Sequence, residues 1–136
     1  MITRKQFARM ASLFAMNVLH KVPDTSLTCF FMDMERENQE MRNAASTACQ
    51  LRIMGIDKTG EPNTTFNPDG NLTKAQFGTL LSRLLWGDRY DLNTEDYYRN
   101  HLLALQKAKI MTDIDDPQIN ERIGDIMVML MRAANQ

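Results

Sequence analysis

One helix start occurs twice in this chain, as Ile2-Thr3-Arg4-Lys5-Gln6-Phe7 and as Leu72-Thr73-Lys74-Ala75-Gln76-Phe77. Both copies read apolar, Thr, basic, any residue, Gln, Phe, and both lead into apolar residues at helical spacing. Thr with Gln three positions later is a capping box. The hydroxyl accepts from the N–H of the third helical residue, and the Gln side chain accepts from the N–H of the Thr. A repeated cap implies a repeated structural unit and constrains the fold more than composition does. It also leaves an anomaly. Arg4 and Lys74 sit in a first helical turn, at the positive end of the helix dipole, where a cation is disfavoured.

The apolar stripes extend the repeat. Phe7, Met10, Ala11, Phe14, Ala15 and Val18 form the first, and Phe77, Leu80, Leu81, Leu84 and Leu85 the second. Ile126, Met129, Leu130, Ala133 and Ala134 form a third at the same spacing. In that third copy the Thr is lost, and Arg122-Ile123-Gly124-Asp125 stands where Thr-basic-x-Gln would be. Asp116-Pro117 upstream reads as an N-cap followed by Pro at the first helical position, which predicts an earlier start for this helix. A second helix type alternates with the first. Met41, Ala44, Ala45, Ala48 and Cys49 precede Leu51-Arg52-Ile53-Met54, while Tyr98, His101, Leu102 and Leu105 precede Ala108-Lys109-Ile110-Met111. The expected fold is therefore all-α, built from about two and a half helix–loop–helix units around a central helical bundle. Residues 1–20 form a half repeat, 30–87 a second repeat and 95–134 a degenerate third, all within one module of 136 residues.

Polar loops join these helices. Asp57 to Asn71 contains Gly60, Pro62 and the turn Asn67-Pro68-Asp69-Gly70. Asp57 to Gly60 lacks the alternating acidic ligands and closing Glu of a calcium loop, so no metal is expected. Asp113, Asp115 and Asp116 read as a capping cluster. Sixteen basic against 17 acidic residues give no electrostatic case for nucleic acid. No apolar run reaches membrane-spanning length, so no membrane insertion is expected. Eleven methionines read as adaptable core filler, with Met10, Met41, Met129 and Met131 at core-like positions. Cys29 and Cys49 are the only cysteines and fit no zinc or redox motif. Two buried thiols and a single disulfide both remain open for them.

The units resemble the S-layer homology family. The likeness rests on Phe31-x-Asp33, on Leu51-x-Ile53-Met54, on Phe66-Asn67-Pro68-Asp69-Gly70-Asn71 and on Leu72-Thr73-Lys74-Ala75-Gln76-Phe77. Ile2 to Phe7 matches the second half of the family pattern, and residues 97–130 are a weaker third copy. The resemblance implies a three-repeat helical module that fastens an exported protein non-covalently to the cell envelope. Its ligand in such proteins is an anionic cell-wall polysaccharide, commonly bearing pyruvate ketals, held between repeats. The principal contact is the basic residue at the helix start, which falls here on Arg4 and Lys74. Ile123 takes the place in the third copy, with Arg122 beside it. The resemblance further implies an extracellular, cell-surface location, a signal peptide upstream of Met1, and other surface-layer proteins as further partners. Two departures stand out. Arg52 and Lys109 replace a helix-ending glycine, and the first helix of the first repeat is missing.

A helix start that holds an anion on its N–H groups, with a basic side chain beside it, makes a compact site for an acidic sugar. Among Trp86, Tyr90, Tyr97 and Tyr98, Tyr90 is the aromatic expected to face such a ligand, whereas Tyr98 is expected to be buried. His20 and His101 are far apart, and no nucleophile–base spacing or Gly-rich phosphate loop is present, so no catalysis and no cofactor are expected. The competing reading is a helical interaction or self-assembly module of a surface protein that binds no glycan.

Overall fold

A computed structural model describes residues 1–57, 59–91 and 96–136. Residues 92–94, between the predicted second and third repeats, and Glu95, the first residue of the predicted third repeat, lie outside the described residues. The chain is all-helical: α1 (Arg4–Asn17), a 3-10 turn (Met32–Met34), α2 (Gln39–Gln50), α3 (Lys74–Trp86), α4 (Arg99–Lys107) and α5 (Ile123–Ala134). Backbone bridges outside the helices include Ile56 with Pro62 and Thr73 with Asn120.

Both capping boxes form. The Gln6 N–H donates to Thr3 Oγ1, and Gln6 Oε1 accepts from the Thr3 N–H at 2.9 Å. Thr73 and Gln76 repeat this at 3.1 and 3.0 Å. The ends of α2 and α4 also share one closure. Ile53 N–H donates to Ala48 O and Arg52 N–H to Cys49 O, just as Ile110 N–H donates to Leu105 O and Lys109 N–H to Gln106 O. This pair of bonds is the Schellman ending, which requires a left-handed residue just past the helix. Arg52 (φ 62°) and Lys109 (φ 64°) take that conformation without being glycine.

The chain divides into two compact units. One comprises Thr3–Gly70, in which α1 packs on α2. Its core includes Phe7, Ala8, Ala11, Ala15, Ala45, Ala48 and Phe66. Cys29 and Cys49 form a disulfide, which ties the segment before the 3-10 turn to the buried face of α2. The Asp33 carboxylate accepts from the N–H groups of Phe66 (2.8 Å) and Asn67 (2.7 Å), pinning the loop that approaches the start of α1. Gly55 is required where it stands. Its φ is 73°, and an added Cβ would lie 2.6 Å from the Phe31 ring.

The other unit comprises Met1–Ile2 and Asn71–Gln136, in which α3 packs on α4. Gly78 permits that approach, since a Cβ there would lie 2.1 Å from Leu102 Cδ2. Ile2, Leu72 and Glu121, each two residues ahead of a helix, close a ring of backbone hydrogen bonds. Ile2 N–H donates to Glu121 O (3.1 Å), Glu121 N–H to Leu72 O (2.7 Å) and Leu72 N–H to Ile2 O (3.2 Å).

Several expectations need correction. Asp116-Pro117 does not start α5, because Asp116 is left-handed (φ 53°) and the helix begins at Ile123. The carbonyls of Pro117 and Ile119 serve α3 instead, accepting from Ala75 and Lys74. Met129 is buried, but Met131 is 60% exposed, and Met10 and Met41 are only half-buried. Val18 and Ala134 are exposed, and Tyr98 is half-buried rather than enclosed.

Candidate functional site

The first turns of α1 and α3 are sealed. Arg4 N–H donates to Gly70 O (2.8 Å), Lys5 N–H to Pro68 O (3.1 Å) and Gln6 N–H to its cap. In α3, Lys74 N–H donates to Ile119 O (2.8 Å), Ala75 N–H to Pro117 O (2.9 Å) and Gln76 N–H to its cap. The free N–H groups expected to hold an anion at these two helix starts are therefore taken by loop carbonyls. Only side chains remain to do so.

Those side chains are engaged to different degrees. Arg4 Nε donates to Phe66 O (2.9 Å), and its guanidinium lies 5.4 Å from the centre of the Phe66 ring. Burial pushes the Arg4 pKa down, and the nearby Asp33 carboxylate opposes that shift. Lys5 bridges Asp69 (2.8 Å) and Glu37 (3.0 Å), and these two bonds hold its pKa above the ordinary lysine value. Lys74 Nζ donates to Asp115 O and lies 3.8 Å from Asp113, with 11% of its side chain exposed.

The start of α5 is open. No side chain caps it, and among the described residues the N–H groups of Ile123, Gly124 and Asp125 meet no acceptor. Beside it lies a cavity of about 590 Å³ lined by Lys74, Met111, Thr112, Asp113, Ile119, Asn120, Glu121, Arg122, Asp125, Val128, Met129 and Arg132. Three cations thus face three carboxylates around a partly apolar floor. Arg132 is anchored by a bond from its guanidinium to Ile110 O (3.1 Å). Glu121 is 6% exposed. Burial raises the pKa of its carboxyl, and Asp125 adds to this, while the Arg122 N–H and Lys74 pull it down. A wall holding both donors and acceptors suits a hydroxyl-rich ligand, and the cations with the uncapped N–H groups suit a carboxylate on it.

The structure thus brings two predicted residues, Lys74 and Arg122, to one cavity, whereas Arg4 belongs to the Thr3–Gly70 unit. Tyr90 is half-buried and packs edge-on against Trp86 at 5.5 Å. With Asn100, Leu103, Ala104, Lys107 and Ala108 these rings line a separate shallow hollow of about 440 Å³. Sequence reasoning missed Glu121, Asp125 and Arg132. A signal for Glu121 was present, since it occupies the position that Ile2 and Leu72 hold in the other two helix starts, where a carboxylate is out of character.

The fold also assembles a hydroxyl–imidazole–carboxylate array that spacing did not reveal. His101 Nδ1 lies 2.8 Å from Ser82 Oγ, and Nε2 lies 2.8 Å from Asp91 Oδ1, which also accepts from Arg83 at 2.9 Å. Ser82 and His101 are fully buried. Folded this way the array presents no hydroxyl to a substrate, and it joins α3 to α4. Asp57, at the rejected calcium loop, spends one carboxylate oxygen on Thr59 and on the Glu61 N–H. Among the described residues no cluster of His, Cys, Asp and Glu could hold a metal ion, and no helix is long and apolar enough to cross a membrane. No family model, curated protein or solved structure matches the chain.

Proposed function

We propose that this chain is a non-covalent cell-envelope anchoring module that binds an anionic cell-wall polysaccharide, the pyruvylated type being the first candidate. The observation that carries the reading is the cavity at the uncapped start of α5, bordered by Lys74 and Arg122. Arg122 holds a ligand carboxylate through its planar fork, Lys74 adds a point charge, and Asp113 and Asp125 accept from sugar hydroxyls. Arg4 serves a second, weaker contact, since Phe66 and Asp33 already occupy its surroundings.

Three features support a repeat of the S-layer homology kind. The capping boxes of α1 and α3 match, α2 and α4 end alike, and the residues ahead of three helices close one ring of backbone bonds. The disulfide is compatible with an extracellular location. No catalysis is assigned.

The test is co-sedimentation of the purified chain with cell-wall material, before and after the polysaccharide is stripped and with or without its ketal groups. Lys74→Ala with Arg122→Ala is expected to abolish binding to intact wall. Undiminished binding by that double variant, or equal binding to stripped wall, refutes the reading. The rival self-assembly reading draws on a different observation, the exposure of Met127 and Met131 on α5.

A further inference from the structure

Of the three carboxylates that line the cavity at the start of α5, Glu121 alone is enclosed. It is 6% exposed, whereas the Asp113 side chain is 71% exposed and Asp125 is open to solvent. Its backbone is fixed on both sides, since its carbonyl accepts from the Ile2 N–H and its N–H donates to Leu72 O. Ile2 and Leu72, its counterparts ahead of α1 and α3, are fully buried. A position that two helix starts fill with an aliphatic side chain thus holds a carboxyl in the third. Lys74 borders the same cavity from α3, Arg122, Asp125 and Arg132 from α5 and its cap, and Asp113 from the segment after α4. The Met1–Ile2 segment brings no titratable side chain. Lys74 is committed to Asp115 O and Asp113, and Arg132 to Ile110 O. Burial already holds the Glu121 pKa above the ordinary glutamate value, with Asp125 adding to it against the Arg122 N–H and Lys74.

We propose that an anionic ligand enters this cavity together with one proton, which Glu121 takes up. The inference rests on the anchoring reading above and names how that same site is regulated. Three cations balance three carboxylates around the free cavity, so a ligand carboxylate brings a fourth negative charge. Covering the cavity also removes water from its wall. Both effects penalise an ionised carboxyl. They fall hardest on Glu121, because solvent screens Asp113 and Asp125. Once protonated, Glu121 no longer repels the ligand and gains an O–H donor. By linkage, the ligand raises the Glu121 pKa by as much as protonation raises the affinity. Where the free chain is ionised and the complex protonated, affinity falls by up to about tenfold per unit rise in pH. The module therefore grips its ligand in mildly acidic surroundings and loosens as they turn alkaline.

The test is titration calorimetry of the full, oxidised chain with soluble, ketal-bearing polysaccharide released from the wall, between about pH 5 and pH 8. A ketal carboxylate stays ionised over that range. Wild-type affinity is expected to fall as pH rises, and heats in two buffers of different ionisation enthalpy to report uptake of up to about one proton. Glu121→Gln, a neutral isostere, is expected to keep at the alkaline end the affinity that the wild type shows at the acid end, with no uptake. Glu121→Leu, which copies Leu72, is likewise expected to lose the pH dependence. Circular dichroism at each pH separates these changes from loss of fold. Wild-type binding that is flat with pH, or uptake that persists in both variants, overturns the proposal and leaves the anchoring reading standing. So does a folded Glu121→Gln chain that no longer binds. Absence of wild-type binding at every pH overturns both.

Discussion

Lys109→Gly tests the way α4 ends. Lys109 is held at φ 64°, where an L-residue pays about 1–2 kcal/mol because its Cβ crowds the following carbonyl. Glycine removes that strain but costs roughly 0.5–1 kcal/mol through the extra freedom of the unfolded chain. Loss of the lysine charge near the helix C-terminus takes back about another 0.3 kcal/mol. The balance is a net stabilisation of about 0.5 kcal/mol. Arg52→Gly at the corresponding end of α2 is the control. It relieves the same strain at φ 62° but loses the bonds from Arg52 to Gly60 O (3.2 Å) and Asp24 (3.3 Å). Exposed contacts of this kind add little stability, so the control is expected to gain no more than Lys109→Gly and to sit nearer neutral. Urea unfolding with the disulfide intact measures both, the shift in midpoint at constant slope reporting the change. A Lys109→Gly chain destabilised by about 1 kcal/mol or more would refute the Schellman reading, because relief of left-handed strain leaves a net loss of at most about 0.3 kcal/mol.

Other consequences can be measured separately. The Cys29–Cys49 bond closes a loop of 20 residues, so Cys29→Ser with Cys49→Ser should cost about 3 kcal/mol in unfolding experiments. Burial pushes the His101 pKa down, with Arg83 acting the same way and Asp91 opposing. The stability owed to its neutral form is full above pH ~6.5 and falls as pH drops from there through the lowered folded value. His101→Gln should therefore flatten the stability profile between about pH 7.5 and pH 5. Glu121 has the opposite sign. Its raised pKa makes its contribution full below pH ~4.3 and lost as pH rises through the folded value. Glu121→Gln should then stabilise the chain at neutral pH, with the gain vanishing in acid. An equal gain at all pH values would mean that ionisation of Glu121 is not its cause.

Sequence reading succeeded where the governing interactions are local. Thr3 with Gln6 and Thr73 with Gln76 are three residues apart, and the boxes formed as their spacing predicts. How α2 and α4 end was left open by the sequence, and the left-handed conformations of Arg52 and Lys109 decided it. It failed where a partner comes from far along the chain. Asp116-Pro117 carries a sound helix-start signal, yet its carbonyl neighbours are consumed by α3, more than 40 positions earlier. Met131 lies on an apolar stripe, yet periodicity cannot say whether a helix arrives to cover it. His101 stood alone in sequence, and only the packing of α4 on α3 gave it Ser82.

The repeated Thr-basic-x-Gln-Phe divides along the same line. The sequence by itself determined where α1 and α3 begin, that basic residues stand at those starts, and that no Thr–Gln pair precedes the apolar stripe of α5. These facts are written in neighbouring residues and in bonds spanning one turn. Only the tertiary structure decided that loop carbonyls close the first turns of α1 and α3, and that Arg4 rests on Phe66. It alone left the start of α5 open beside a cavity shared by Lys74, Glu121 and Arg122. Unmet N–H groups and bare helix faces depend on which distant segment arrives to cover them, and that is a property of the folded chain.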